Sequence, residues 1–483
     1  MLRLVLSSGE FFNSRIRYIW QTFLTYYRAE HEIIELTVPK DELLTDGAVT
    51  VYYGPESGIP QQSNMPCLII LHDPETAAVF RKRNPYNSEP AYIDNIPVLF
   101  NTAEAPRIQR EENRIICSGD LLATAFFFLS AFQEYIEGSQ QDDQFGRFSY
   151  QNAYLERYKL VEVPVVNLIF DLLARLLEEL GLSLERVSFP GEANCAVILS
   201  HDVDRVFYYY SGSMYRKLRC ALAELIRYRR LYEAMCYFEG IFFGEKDNFR
   251  RMLRLHGKHD ARSSYNFVFQ KEKHPRDPDY LVSMPEMADI LGMVHKSGNE
   301  IGIHGSFESI MKGTFPDELN YSKSVLGDNI IGGRIHYLRY RIQPMFKLFE
   351  SIGLSYDNSV MFPESGGYRT GFGLPHQVFD HETNGVFSTL LMPLNLMDTT
   401  YVDSRYLNLG VKKFFTKAEA MLEEAVSRRL CLSILTHIDF YMISNRRGIR
   451  LYNSFLEKAK KKGALLTDCR TIYHWWKSLN IKK

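Results

Sequence analysis

The chain has 483 residues, 46% of them hydrophobic and 24% charged, which excludes disorder as the default state and leaves length for two or three domains with full cores. Its net charge of -1 excludes a global field that would recruit nucleic acid, so a charged partner must be met by a local patch. Seven scattered cysteines with no Cys-x-x-Cys pair exclude a disulfide framework or zinc-thiolate site, and no apolar run approaches the roughly 20 residues that span a bilayer, so a cytoplasmic protein is expected.

The N-terminal apolar run is broken by Arg3 and by Ser7-Ser8-Gly9-Glu10, too early for a signal-peptide core. Residues 1–188 then mix short strand-like runs, at 49–53 and 67–71, with helical stretches at 120–135 and 164–180. In the second helix Val165, Leu168, Ile169, Leu172, Leu173, Leu176 and Leu180 form one apolar stripe, and Gly181 follows as a stop signal. This part reads as an α+β domain of unknown role. A polar loop at 138–144 separates the helices, and 188–192 reads as a linker.

From 194 to 475, strand-like runs near 196–200, 264–269, 300–303, 333–337, 354–356, 386–391 and 432–435 alternate with helical patterns such as 285–297, 341–352 and 416–428. Such alternation predicts an α/β domain with a largely parallel sheet or barrel, whose chemistry sits at the C-terminal ends of its strands.

The polar residues fall where that rule puts a site. Ala196-Val-Ile-Leu-Ser-His-Asp-Val-Asp204 runs an apolar strand into two carboxylates. In extended structure Asp202 and Asp204 share a face while His201 points elsewhere. Two adjacent carboxylates repel, which a metal cation or a shared proton relieves. Alone, an Asp-x-Asp is better explained by a polar strand end or a helix N-cap. His304-Gly-Ser-Phe-Glu-Ser309, Arg334-Ile-His-Tyr-Leu-Arg339 and Thr436-His437 end three further strands, and this recurrence favours function for Asp204, His304 and His437. His295, His376 and His474 read as structural.

The order of these motifs resembles the polysaccharide deacetylase superfamily, metal-dependent carbohydrate esterases that fold as a distorted (β/α)7 barrel. Ser200-His-Asp-Val-Asp204 is similar to its first motif, His304 opens a segment similar to its second, Arg339 resembles the arginine of its third, and Leu435-Thr-His437 resembles its terminal Leu-x-His. The likeness covers residues 194–475. The stretch 120–148, with Gly146-Arg-Phe148, resembles the uncharacterised domain that precedes this module in some bacterial surface-polysaccharide gene clusters. Two departures stand out: Val203 separates the aspartates, and Glu308 occupies the place of the second motif's second histidine. The third metal ligand is then Glu308 or His336. Imidazole suits zinc better in a mixed site, which favours His336, and if neither binds the site is degenerate.

The resemblance implies a divalent metal, zinc, held by Asp204, His304 and His336 or Glu308. It further implies Asp202 as general base, His437 as general acid for the departing amine, and Arg339 orienting Asp202. Asp398 is expected to orient His437 or Arg369, and Arg334 lies beside them in the fourth strand-end motif. The function expected is removal of an N-acetyl group from an N-acetylated sugar or glycan in surface polysaccharide biosynthesis. A silent glycan- or partner-binding barrel and an amidohydrolase for a small non-sugar amide are the alternatives.

An insertion at 205–245 opens with seven Arg or Lys between Arg205 and Tyr232 against the single acid Glu224. Leu218, Leu222, Leu225 and Ile226 fall on one side at helical spacing, with Arg216, Lys217, Arg227, Arg229 and Arg230 around them. One reading packs this helix on the barrel through its leucines. The other sets it against a lipid-linked or anionic glycan at the inner face of the membrane.

Overall fold

The computed structural model describes residues 1–35, 48–59, 65–83, 85–101, 105–137 and 142–481, so residues 138–141 of the expected polar loop lie outside the described part. Runs of β-branched and leucine residues, most of them alternating with helices, build two mainly parallel sheets. In the first, strands run in the order His31–Glu35, Leu2–Leu6, Val49–Gly54, Cys67–Leu71, Arg114–Cys117 and Ile108–Arg110. Only the last pair is antiparallel. The α+β arrangement expected here therefore gives way to an α/β one, because the helix Glu10–Tyr26 returns the chain to start parallel strands.

The second sheet has ten strands. The order is His376–Asp380, Gly385–Leu391, Tyr356–Asp357, Gly332–Ile335, Glu300–Gly305, Ser264–Phe267, Cys195–Asp202, Cys431–His437 and Leu396–Met397, with Ala464–Thr467 also pairing Cys195–Asp202. All pairs are parallel except the first. The strand Cys195–Asp202 is buried along its whole length, as a strand covered on both faces must be. Its lower half pairs with Ala464–Thr467 and its tip with Ser264–Phe267, so one edge serves two neighbours.

The sheet is curled. Arg334 and Asp202 sit on strands separated by two others, which a flat sheet would hold about 14 Å apart. Their side chains nonetheless meet at 2.7 Å. Close approach in this region requires glycine: a Cβ on Gly333 would lie 1.9 Å from the Ile303 carbonyl oxygen of the adjoining strand.

Residues on either side of 188–194 share one apolar core. Phe379 packs edge-on against Phe126, with ring centroids 5.0 Å apart, and the Tyr18 and Tyr26 hydroxyls donate to the carbonyls of Gln377 and Pro375. The predicted helix at 120–135 is broken at Ala131, whose φ of 51° divides it into Leu121–Leu129 and Phe132–Glu137.

The insertion forms two helices, Met214–Ile226 and Leu231–Phe242. The packing of the first helix on the barrel through its leucines is not what the structure shows. Leu218, Leu222, Leu225 and Ile226 are all exposed, and Ala221 is the helix's buried residue. An apolar stripe reveals that one face is special without revealing which face turns inward.

A candidate metal centre at the strand ends

Parallel register brings the polar residues level with one another. Asp202 lies beside Asn266 on one neighbouring strand and His437 on the other, and His304 lies beside Arg334. All are at C-terminal strand ends, pointing into the curl. His201, one residue out of phase, faces the other way, where its ring stacks on His256 at 5.1 Å and its Nδ1 meets Thr436 Oγ1 at 2.9 Å.

Asp204, His304 and His336 bring one ligand atom each within 4.8 Å of the others. His304 Nε2 is 3.6 Å from Asp204 Oδ1, and His336 Nε2 is 3.5 Å from Asp204 Oδ2. The rear nitrogens are engaged: His304 Nδ1 faces the Arg334 carbonyl oxygen at 3.1 Å, and His336 Nδ1 faces Asp277 Oδ1 at 3.1 Å. A neutral ring whose Nδ1 donates carries its lone pair on Nε2. Both rings aim Nε2 at Asp204. Burial works to lower the His336 ring, but Asp204 and Asp277 outweigh it and raise it to about 10, so a bound cation would displace the Nε2 proton to free that pair. His304 Nε2 and Asp204 Oδ1 are buried with no hydrogen-bond partner, which is costly unless a cation or water lies between them. One carboxylate and two imidazoles are a donor set that fits zinc or a similar divalent ion.

Asp202 stands beside this group. Its Oδ1 accepts from Arg334 Nη1 at 2.7 Å and from Asn266 Nδ2 at 3.1 Å, and its Oδ2 is 3.7 Å from His304 Nε2. Burial works to raise its carboxyl, but Arg334 and then His304 outweigh it and keep Asp202 ionised below the ordinary carboxylate range. Asp204 is likewise penalised by burial and held well below that range by His336, His304 and His437. On the opposite flank His437 Nε2 is 3.7 Å from Asp204 Oδ2, while its Nδ1 meets Asp398 Oδ1 at 2.7 Å and its amide donates to Asp398 Oδ2 at 2.8 Å. Burial alone would lower the His437 ring. Asp398 dominates and raises it to about 10, so the ring is an imidazolium at neutral pH. Asp204 and His437 keep 20% and 17% side-chain exposure, so the group opens to solvent here.

Several expected placements change. Arg339 does not touch Asp202; it donates to the carbonyls of Phe145 and Phe307, both at 2.7 Å, and to Glu308 at 3.3 Å. After His336 the chain turns through Tyr337 and Leu338, at φ 59° and 51°, and this left-handed step carries Arg339 to the neighbouring loop. Arg334, fully buried, takes the place on Asp202 and also binds Ser200 Oγ and the carbonyl and side chain of Asn358. Glu308, engaged by Arg339, is not part of the convergent trio. Arg369 is bound by Glu134 through two contacts of 2.8 Å, and Asp398 serves His437. Arg216, Arg227, Arg229 and Arg230 are exposed on the insertion; Arg230 pairs with Glu224 at 2.9 Å. His295 and His474 are exposed, and His376 is buried with its Nδ1 at 3.2 Å from the Leu374 carbonyl.

Sequence reasoning missed Asp277, Asn266 and Asn358. Asp277 lies in Arg276-Asp-Pro-Asp279, the loop after the second strand of the curled sheet, so the strand-end rule applied there would have found it. It also missed the N-terminal contribution: Arg147 Nη1 donates to the Tyr337 carbonyl at 2.9 Å, bracing the turn that follows His336.

Residues 4–182 match a family of unknown function (DUF7033). No curated protein matches the chain. Among solved structures the chain is similar to a putative polysaccharide deacetylase from Mycobacterium smegmatis, with 14% identity, a TM-score of 0.40, and 61% of this chain and 94% of that chain covered. It is similar to PuuE allantoinase at 15% identity and a TM-score of 0.42, covering 60% and 92%. A third similar structure is the carbohydrate deacetylase Agd3, at 8% identity and a TM-score of 0.35, covering 99% of this chain and 87% of that one.

Proposed function

We infer that the chain is a metal-dependent hydrolase of the polysaccharide deacetylase superfamily, built on a distorted (β/α)7 barrel, and that it removes an N-acetyl group from an N-acetylated sugar. The observation that carries this reading is the convergence of Asp204, His304 and His336 between Asp202 on one flank and the His437–Asp398 pair on the other. Asp204, His304 and His336 would hold a divalent cation, which would supply a Lewis acid for an acetamide carbonyl and would bring the pKa of water from about 15.7 toward neutrality.

The remaining steps belong to the protein. Asp202, ionised and fixed by Arg334 and Asn266, accepts the proton of the attacking water. Attack forms the new carbon–oxygen bond while the carbonyl electrons move to oxygen. Collapse of that intermediate restores the carbonyl and breaks the carbon–nitrogen bond. An amine anion is too poor a leaving group to depart alone, and the His437 imidazolium, steadied by Asp398, delivers the proton to nitrogen. The products are acetate and the free amino sugar.

Zinc is the ion that two imidazoles and a carboxylate favour. The seven cysteines are all unpaired, which supports a reducing, cytoplasmic setting. An intermediate of bacterial surface polysaccharide biosynthesis is the substrate class that the sequence resemblance implies.

Metal analysis of the purified protein beside Asp204→Ala, His304→Ala, His336→Ala and Glu308→Ala, with acetate release from N-acetylated sugars, tests this reading. One ion per chain, lost in the first three variants and kept in the fourth, is expected. A folded protein that takes up no metal when zinc is supplied would instead point to a silent glycan-binding barrel. Metal binding with acetamide hydrolysis confined to small non-sugar amides would point to an amidohydrolase.

A further inference from the structure

We propose that the helical hairpin at 214–242 is a docking surface for an anionic lipid bilayer. Its apolar residues are turned outward: Tyr215, Ile226 and Phe242 are 75%, 74% and 78% exposed, and Met214 and Leu231 are 69% and 62% exposed. On the first helix Met214, Leu218, Leu222 and Leu225 recur at spacings of four, four and three, which aligns them in one stripe. Leaving such a stripe in water is unfavourable, and contiguous apolar patches of this kind mark contact surfaces.

The hairpin is held rigidly with that stripe facing out. Glu239 on the second helix accepts from Arg251 at 2.7 Å and from the amides of Ile443 and Ser444, both at 2.8 Å. Gly240 lets this helix press on the preceding segment, since a Cβ there would lie 2.0 Å from the Tyr209 carbonyl oxygen. The first helix lies outside the second, tied to it by Lys217 Nζ donating to the Gly240 carbonyl at 2.6 Å.

Charge selects the occupant. Arg216, Arg219, Arg227, Arg229 and Arg230 are exposed around the stripe, and Glu224, the acid of the first helix, is already paired with Arg230. A second copy of this chain would set these arginines against one another. An anionic lipid surface supplies the opposite charge for the arginines and an apolar phase for the stripe, and Tyr215, Tyr228 and Tyr232 suit the boundary between them.

The hairpin adjoins the strand-end site. Arg205 is 3.5 Å from Asp439, two residues after His437, and the Tyr232 hydroxyl donates to the Asp439 carbonyl at 3.4 Å. Docking therefore brings the site to the membrane surface. Resting on the function proposed above, this assigns the acetylated sugar to a lipid carrier.

The test is co-sedimentation of the full chain with vesicles of phosphatidylcholine alone or mixed with phosphatidylglycerol. Binding is expected to the mixed vesicles, to weaken with salt, and to fall on the order of a hundred-fold in an Arg219→Ala, Arg227→Ala, Arg229→Ala variant, at about five-fold per arginine. A Leu218→Ser, Leu222→Ser, Leu225→Ser variant should also lose binding while keeping the wild-type circular dichroism and acetate release from a water-soluble sugar. Equal or absent binding to both vesicle types overturns the proposal, as does a dimer in solution that the leucine variant dissolves. The vesicle readout needs no catalysis, so an inactive protein that still binds would sink the deacetylase reading and leave the docking surface standing.

Discussion

Asp277 Oδ1 lies 3.1 Å from His336 Nδ1 and accepts the Phe307 amide at 2.6 Å. The carboxylate thus fixes both the tautomer and the tilt of the imidazole that faces Asp204, while the Phe307 amide holds the carboxylate in place. Asparagine at 277 keeps the shape but removes the charge. Asp277→Asn is expected to weaken metal binding by about 10- to 100-fold, read by competition with a chromophoric chelator. Glu308→Gln, which lies outside the trio, should bind as the wild type does. Equal affinity in Asp277→Asn and wild type would show that His336 is oriented by something else.

Arg334 is buried and holds Asp202, Ser200 and Asn358 together. Arg334→Met would leave a buried carboxylate without its cation, a loss of about 3–5 kcal/mol. Arg339→Met removes bonds to two carbonyls and a partly exposed acid, and about 1–2 kcal/mol is expected. Urea unfolding of the two variants gives the comparison. A larger loss from Arg339→Met would mean that the Arg334 network is not the brace of the base.

Those two arginines show how far the sequence could be read. The strand ends at Asp204, His304 and His437 were legible because strand alternation and the strand-end rule both depend on local pattern. Which arginine meets Asp202 was not, because it depends on the curl of the sheet and on a left-handed turn at Tyr337, and no local pattern encodes either. Asp277 was within reach of the strand-end rule, since its loop follows the Ser264–Phe267 strand, but a Pro-flanked acid reads first as turn chemistry, and its pairing with His336 is seen only when that loop is folded. The hairpin at 214–242 was legible as amphipathic helix, yet its inward face is set by Glu239 and Gly240, which lie outside the leucine stripe.

Glu134 and Arg369 join the N-terminal helix Phe132–Glu137 to the loop after the Tyr356–Asp357 strand by two bonds of 2.8 Å. Their side chains are 8% and 1% exposed. Glu134→Ala should cost about 3–5 kcal/mol, since it strands the guanidinium in the interior. The double variant Glu134→Leu, Arg369→Met should recover much of that loss, because both charges leave together. Thermal unfolding of the single and double variants tests the pair, and equal losses in both would show that packing alone decides this contact.

His381 stacks on Tyr135 with centroids 4.4 Å apart, and its Nε2 is 3.0 Å from the Ser130 carbonyl oxygen. Burial lowers the ring from an ordinary value near 6.5 to about 4. Between those values the unfolded chain binds a proton that the folded chain refuses, so stability is full above 6.5 and falls as the pH drops through 4. The loss by pH 4 is about 3 kcal/mol. Glu300 and Glu318, raised to about 7 by burial, act with the opposite sign: they favour the folded state at low pH and lose that contribution as the pH rises through 7. The wild-type curve mixes these effects, whereas the difference between wild type and His381→Phe isolates the histidine. From pH 7 to 4 the wild type should lose about 3 kcal/mol more than His381→Phe in urea unfolding, and parallel curves would show that His381 is protonated in the folded state.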